Sequence, residues 1–286
     1  MKSLLVLLVA VAAYSQVLFP LVEYLDGRPF VERLGYVPQE KVLRFSTADQ
    51  KEFTAAALIF KTMMYYGGLI GESTVTQTYI PPDYEGMIQN IKTANKLDPY
   101  NMDAYYFAQA ILSWDVGRAE EANRVLEFGM QYRDWDFYLP YFAGFNYAYF
   151  LKDYENAARY YQRAADLTGS DLLMRLTSRY LYESKQTDLA VAYLKNLLRT
   201  THNKAIKNTL QMRLKALTEI SRIEAAVRAF EEDRGTRPRS IRELVGYLQP
   251  PPLDPYGGEF YLDDEGRVKT TSNMATAGGE NGGNKN

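Results

Sequence analysis

The sequence predicts an all-α protein in which pairs of helices pack side by side. Apolar residues recur every three or four positions through most of residues 47–234, which is the spacing of one helix face. Alanines at matching places in successive segments, Ala122, Ala157 and Ala190, are 35 and 33 residues apart. Most of the 24 tyrosines also fall between positions 60 and 200. A period of this length predicts repeated helical hairpins, each of which buries its apolar side only against its neighbours.

Composition and charge exclude several functional classes. The chain has 33 basic and 35 acidic residues and a formal net charge of −2, so it lacks the electrostatic footprint of a nucleic-acid-binding protein. It has no cysteine, which excludes disulfides and cysteine-ligated zinc, and its single histidine, His202, falls between predicted helices. No nucleophile-elbow, zinc-protease, P-loop or dinucleotide-binding motif occurs. We therefore expect no catalytic activity, no cofactor and no bound metal.

The first 22 residues predict a membrane segment or a signal peptide. After Lys2, residues 4–22 are almost uniformly apolar and just long enough to cross a hydrocarbon core of about 30 Å as a helix. An uncleaved signal anchor and a signal peptide cleaved near Ser15 both fit this pattern. In either case Lys2 and the terminal amine precede the apolar run and Glu23 and Asp26 follow it, which predicts that the bulk of the chain lies outside the cytoplasm. We expect inner-membrane anchoring with the bulk in the periplasm, or secretion to the periplasm after cleavage.

Residues 23–46 are interpreted as a connector, and the helical region 47–201 follows it. The pattern Thr47-x-x-Gln50 is typical of a capping box at a helix start. Residues 53–66 are apolar almost all round, which predicts a buried helix. Gly67, Gly68 and Gly71 predict its end, and residues 67–82 are then expected to form a long surface loop.

One helix and three helical pairs are predicted beyond that loop. A helix beginning near Tyr84 ends in the run ANKLDP at residues 94–99, where Pro99 cannot continue it. Helical pairs are then predicted over residues 103–133, 138–167 and 172–199. In residues 154–165 the apolar face combines small alanines with Tyr161, which allows a second helix to approach closely.

These features resemble the tetratricopeptide repeat (TPR) family. The small–aromatic–small face of residues 154–165 resembles the second helix of such a repeat, and the run at 94–99 resembles the A-x-x-L-D-P sequence that closes one. The resemblance covers about residues 50–200. It implies a TPR-like helical-hairpin solenoid that acts as a scaffold, in which the first helices line a concave groove for a protein partner.

Aligning the predicted repeats with the family pattern indicates which residues would line the concave groove. Arg175 and Arg179 lie one helical turn apart in the fourth repeat, where they could hold a carboxylate. Asn146 is the only polar residue in residues 141–150 and belongs either to the groove or to the interior of the stack. Tyr106 and Gln109 are further groove candidates. The abundant tyrosines also favour an alternative function, binding of a carbohydrate or another small ligand on an aromatic surface.

The carboxyl-terminal part of the chain has a different character. Residues 202–234 predict one long helix whose apolar stripe either caps the solenoid or forms a coiled-coil homodimer. Residues 235–272 predict a short helix and a β-hairpin. The runs LDPYGG at 253–258 and GRV at 266–268 resemble the carboxyl-terminal part of secretion-system pseudopilins, which implies a link to an envelope or secretion assembly. Residues 273–286, rich in Gly and Asn, predict a disordered tail.

Overall fold

A computed structural model of the chain describes residues 2–26 and 34–272. The predicted disordered tail and part of the predicted connector lie outside these described residues. The described chain is mostly helical and contains a small two-stranded sheet. The α-helices are α1 (Lys2–Asp26), α2 (Glu40–Thr47), α3 (Lys51–Thr76), α4 (Tyr84–Leu97), α5 (Met102–Ala110), α6 (Ala119–Gly129), α7 (Tyr138–Asn146), α8 (Tyr154–Thr168), α9 (Asp171–Glu183), α10 (Thr187–Thr200) and α11 (Lys204–Arg234). The strands are β1 (Phe260–Leu262) and β2 (Val268–Thr270).

The chain divides into two compact units, Met1–Ala104 and Tyr105–Asn286. In the first unit α3 packs along α4. Helix α4 begins at its predicted position, where the Asp83 side chain accepts a 3.0 Å hydrogen bond from the backbone N–H of Gly86. Its last residue is Leu97, directly before Asp98-Pro99, as predicted.

The predicted loop over residues 67–82 is wrong, because α3 continues through all three glycines to Thr76. Each glycine costs a helix about 1 kcal/mol relative to alanine. That cost is offset here by packing, because Tyr65 and Leu69 are buried on the α4 side of the helix. The helix ends where Gln77 adopts a left-handed conformation with φ of 52°.

The sequence also predicted that this helix is buried all round, and that prediction is wrong. One face of α3 is buried, with Ala55, Ile59, Thr62, Tyr65 and Leu69. The opposite face is exposed although it is also apolar. A run of apolar residues cannot by itself distinguish a helix covered on all sides from one covered on a single side.

The start of the helical region also differs from the prediction. Helix α2 lies within the predicted connector, and Thr47 is its last residue rather than a cap for α3. The Thr47 hydroxyl instead donates a 2.8 Å hydrogen bond to the Leu43 carbonyl, one turn back in α2.

The amino-terminal segment is helical over Lys2–Asp26, four residues beyond the predicted boundary at Val22. Its insertion into a membrane stays a prediction. Within the described residues, one helical stretch, Glu40–Thr76, contains a window long and apolar enough to cross a bilayer, with 28% of that window buried inside the protein. This stretch contains α3 rather than the predicted segment.

The ranges predicted to hold helical pairs contain α5 and α6, α7 and α8, and α9 and α10, and α7 packs on α8 as α9 does on α10. Ala122, Ala157 and Ala190 are all completely buried, as their matching positions required. From α6 to α11 each helix packs mainly against its neighbours in sequence. In two of these three ranges the first helix ends in a π-helical turn. The turns are Ile111–Asp115 after α5 and Tyr147–Leu151 after α7. These turns occupy equivalent places in successive pairs.

Two helical glycines allow aromatic rings to approach the backbone closely. A Cβ atom on Gly129 would lie 2.8 Å from the ring of Tyr105, and one on Gly144 would lie 3.1 Å from the ring of Tyr161. Tyr161 also stacks on Tyr180 of α9, with 5.5 Å between ring centroids. The glycine contact therefore joins the two helices of a pair, and the same ring joins that pair to the next.

The long helix α11 matches the prediction for residues 204–234, from its Asn203 cap to Gly235. Its apolar stripe is buried against α9, α10 and the carboxyl-terminal segment, and Leu210, Leu217, Ile220 and Ile223 are fully buried. The stripe is therefore used within the chain rather than in a coiled-coil dimer. The predicted short helix is a 3₁₀ turn, Ile241–Leu244. The predicted hairpin is confirmed, with Tyr261 opposite Lys269 in the antiparallel register.

We predict that Gly129→Ala destabilises the protein by about 1–3 kcal/mol, because the added methyl group meets a ring that is itself fully buried. Gly67→Ala is the matched control, since its Cβ would meet no atom within 4 Å in the exposed middle of α3. It should stabilise its helix by about 0.5–1 kcal/mol. Urea unfolding monitored by circular dichroism measures both. An unchanged or higher midpoint for Gly129→Ala would contradict the packing described.

Candidate functional site

The turn that connects α7 to α8 creates a cleft in the second unit. The π-helical turn Tyr147–Leu151 is followed by Lys152 in a left-handed conformation with φ of 55°. The backbone N–H of Asp153 then donates a 3.0 Å hydrogen bond to the Tyr147 carbonyl, and the Asp153 side chain caps α8. A non-glycine residue in this conformation is uncommon and is held there by its surroundings.

We call the resulting depression the aromatic cleft. It has a volume of about 280 Å³ and lies between the α7–α8 turn and α9. It is lined by Phe145, Ala148, Tyr149, Lys152, Tyr154, Arg179, Tyr180 and Glu183.

Stacked rings form the walls of the aromatic cleft. Tyr154 stacks on Tyr180 with ring centroids 5.8 Å apart, so that one wall is a rigid pair. On the other side Phe145 stacks on Tyr149 at 5.4 Å, and Trp114 lies 5.7 Å from Tyr149. Tyr149 is 53% exposed, and Trp114, which lies next to the cleft, is 56% exposed, although Phe145 stacks on one face of each ring.

Two cations border these rings. The Lys152 ammonium lies 5.3 Å from the centroid of Tyr149, and the Arg179 guanidinium lies 5.6 Å from that of Tyr180. Within the part of the chain that the structure describes, neither cation forms an ion pair with a carboxylate. Burial raises the pKa of the Tyr180 hydroxyl, which is therefore protonated at neutral pH.

Glu183 is the one acidic residue that lines the cleft, and its charge is compensated. Its carboxylate accepts a 3.2 Å hydrogen bond from Lys269 and lies 3.6 Å from the guanidinium of Arg267, both on the hairpin. Lys152 and Arg179 therefore give the cleft a positive character. The arrangement is suited to an anionic group beside an apolar or aromatic one.

Of the five groove residues predicted from the sequence, only Arg179 lines the cleft. Arg175 is on the same helix but lies 3.1 Å from Asp171, one turn back, and its side chain is 22% exposed. Tyr106 packs edge-on against Tyr138 and Phe142. Burial, with a smaller contribution from the charge of Asp136, raises the pKa of Tyr106 to about 12.

The predicted groove residues Asn146 and Gln109 are buried, so neither can contact a partner. The Asn146 side chain is completely buried and donates a 2.9 Å hydrogen bond to the Asn123 amide oxygen. Of the two places left open for Asn146, the interior of the stack is correct. Gln109 is 5% exposed. The sequence could not make this distinction, because a polar residue in an apolar helix fits a groove and a buried hydrogen-bonded position equally well.

Lys152 and the aromatic residues of the cleft were missed by the sequence analysis. The adjacent residues Arg179 and Tyr180 offered one signal in the sequence, because a cation next to an aromatic residue is a common combination in binding sites. The left-handed Lys152 had no such signal, because it occupies a position where glycine is the usual residue.

No metal site was predicted. Among the described residues, no group of three or more histidine, aspartate and glutamate side chains is arranged to hold a metal ion. His202 is exposed, and its Nδ1 lies 2.8 Å from the Thr200 carbonyl oxygen.

No known protein-family model matches this chain, and comparison with curated proteins finds none that is similar. The resemblances to tetratricopeptide repeats and to pseudopilins therefore stay predictions.

We predict that Asn146→Ala destabilises the protein by about 1–3 kcal/mol, because it leaves the buried amide oxygen of Asn123 without its donor. The double variant Asn123→Ala/Asn146→Ala should lose less than the sum of the two single losses, since both members of the pair are then removed. Urea unfolding of the unmodified protein, the two single variants and the double variant gives the coupling energy by a double-mutant cycle. Additive losses would show that the two amides are not coupled.

Proposed function

We propose that this chain is a membrane-attached, extracytoplasmic scaffold of the tetratricopeptide type. The aromatic cleft is its binding site for a protein partner, and it takes an extended segment that carries a carboxylate next to an aromatic or apolar side chain. The observation that carries this proposal is that two cations, Lys152 and Arg179, line one cleft, each beside a tyrosine ring.

The fold supports the proposal in two ways. Helical pairs with matching buried alanines, each packed mainly on its neighbours, are what a tetratricopeptide stack requires. The cleft lies beside α7 and α9, which are first helices of successive pairs, and first helices line the groove in such stacks. The apolar amino-terminal helix α1 supplies the membrane attachment in this proposal.

The two cations of the cleft restrict the chemical class of the ligand more than its aromatic rings do. A carboxylate between Lys152 and Arg179 would replace water at two cations and form charge-assisted hydrogen bonds. Such bonds are worth about 1.5–3 kcal/mol each, so the loss of one reduces affinity roughly tenfold to a hundredfold. Binding that depends on these charges also weakens as the salt concentration rises.

Selection from a random peptide library on the full-length protein tests this proposal. We expect the selected peptides to contain Asp, Glu or a free carboxyl terminus beside Tyr, Phe, Trp or Leu. Lys152→Glu with Arg179→Glu should reverse the preference toward Lys and Arg, because the sign of the cleft is then inverted.

The control for this selection is Lys195→Glu with Arg199→Glu, an equal change of charge on the exposed side of α10. It should leave the acidic preference intact. Selected peptides without an acidic bias would rule out the proposed ligand class. Selection of the same peptides by the cleft double variant and by the control double variant would also rule it out.

A second candidate function, binding of a neutral carbohydrate, is favoured by one observation. Trp114 and Tyr149 are both more than half exposed and lie together, which is the kind of surface on which sugar rings stack. Trp114→Ala would abolish such binding, whereas reversing the two cationic charges would leave it unchanged. Titration with neutral oligosaccharides, followed by tryptophan fluorescence, separates this function from peptide binding.

A further inference from the structure

The first unit carries an exposed apolar surface along the whole of α3. Its large side chains are each between 44% and 81% exposed. They are Phe53, Phe60, Met63, Met64, Ile70 and Val75. Small exposed residues lie between them, including Ala56, Ala57, Gly67 and Gly71. We call this surface the α3 apolar face.

The α3 apolar face carries no charge. The only ionisable side chains of acidic or basic type between Phe53 and Val75 are Lys61 and Glu72. Both lie at the edge of the face, one helical turn from Met64 and Val75 respectively, and the Lys61 ammonium donates to the Leu34 carbonyl. The uncharged strip from Phe53 to Val75 is about 33 Å long at 1.5 Å per residue. Apolar patches of this extent on a protein surface mark an interaction site.

The α3 apolar face cannot turn inward, because the opposite face is fixed to α4. Asn90 of α4 donates a 2.9 Å hydrogen bond to the buried Thr62 hydroxyl. The Tyr65 hydroxyl accepts a 2.8 Å hydrogen bond from the backbone N–H of Asp83, the residue that caps α4. The rotation of α3 about its axis is therefore set by polar contacts as well as by packing.

Helix α3 is suited to lie on a bilayer rather than to cross it. Its apolar window has a mean hydropathy of 1.3, but its other side is tied to α4, which carries Lys92 and Lys96. Taking that charged partner into the hydrocarbon would be costly. A helix with one apolar face and one polar side is stable at the interface, with the apolar face turned to the acyl chains.

The chain itself brings the α3 apolar face to a membrane. Leu34 is buried, and its carbonyl accepts a 2.7 Å hydrogen bond from Lys61, at the edge of the face. Only residues 27–33 separate Leu34 from Asp26, the last residue of α1. Covalent geometry limits the distance from Asp26 to Leu34 to about 28 Å. When α1 crosses the bilayer, the middle of α3 is therefore confined close to lipid.

From these observations we propose that the α3 apolar face rests on the outer surface of the lipid bilayer that α1 anchors. This inference rests on the part of the proposed function that makes α1 a membrane anchor. It adds a second, surface-lying contact that fixes how the first unit is oriented on the membrane.

Site-directed spin labelling tests the orientation, because the chain has no native cysteine and single cysteines can be introduced cleanly. Full-length Phe60→Cys and Met64→Cys are labelled and reconstituted into nanodiscs of phosphatidylcholine and phosphatidylglycerol. Gln89→Cys, on the exposed side of α4, is the matched aqueous control. Val11→Cys, in the middle of α1, reports on the anchor. Collision with oxygen reports lipid, and collision with a nickel chelate reports water.

We expect the oxygen-to-nickel collision ratio at positions 60 and 64 to exceed that at position 89 by roughly fivefold or more, since an interfacial helix buries its apolar face about 5–10 Å below the surface. Circular dichroism confirms that the labelled chains are folded. A lipid-exposed label at position 11 with water-exposed labels at 60 and 64 would overturn this inference and leave the anchor intact.

Two other outcomes would also overturn the inference. A water-exposed label at position 11 would remove the anchor, and with it the membrane part of the proposed function. Labels at positions 60 and 64 that are shielded from both reagents and broadened by a second spin would show that α3 packs against α3 of another copy.

Discussion

The second unit depends on aromatic rings that lie directly on the backbone of helical glycines. Tyr105 occupies the space above Gly129, and Tyr161 occupies the space above Gly144. A side chain at either glycine would be too close to its ring, so the ring or the helices of the pair would have to shift. Because Tyr161 also contacts Tyr141 and Tyr180, a shift at one glycine would reach three helices. The spacing of the paired helices, and therefore the width of the aromatic cleft between the α7–α8 turn and α9, follows from these contacts.

The same contacts explain why the chain is so rich in tyrosine. A tyrosine ring fills the space between helices, while its hydroxyl group reaches a polar partner at the edge of the packing. Tyr160 donates a 2.5 Å hydrogen bond to Glu127, and Tyr182 donates one to the carbonyl of Val268 on the hairpin. Burial raises the pKa of both hydroxyls above the ordinary tyrosine value, which itself keeps them protonated at neutral pH. These two rings are structural, whereas the ring of Tyr149 is more than half exposed.

The sequence predicted the regular helices of residues 84–234 well and the irregular turns poorly. The boundaries of α4 and α11 were readable because caps and breakers mark them, such as Asn203 and Gly235 at the two ends of α11. The continuation of α3 through Gly67 was not readable, because packing on α4 overrides a local preference that points the other way. The cleft was only partly predictable: Arg179 was found by repeat spacing, whereas Lys152 depends on a π-helical turn that breaks this spacing. Asn146 shows the same limit, since a polar residue in an apolar run fits a groove and a buried amide pair equally well.

The charge of the cleft depends on a segment that lies far away in sequence. The whole chain has a formal net charge of −2, so a cationic site requires local separation of charge. Glu183 would cancel one of the two cleft cations if its carboxylate were free, but Arg267 and Lys269 of the hairpin already hold it. Arg267 also donates a 3.1 Å hydrogen bond to the Glu183 carbonyl, which fixes the hairpin on the end of α9. The carboxyl-terminal hairpin is therefore part of the proposed binding site, because it determines how many positive charges the cleft presents to a ligand.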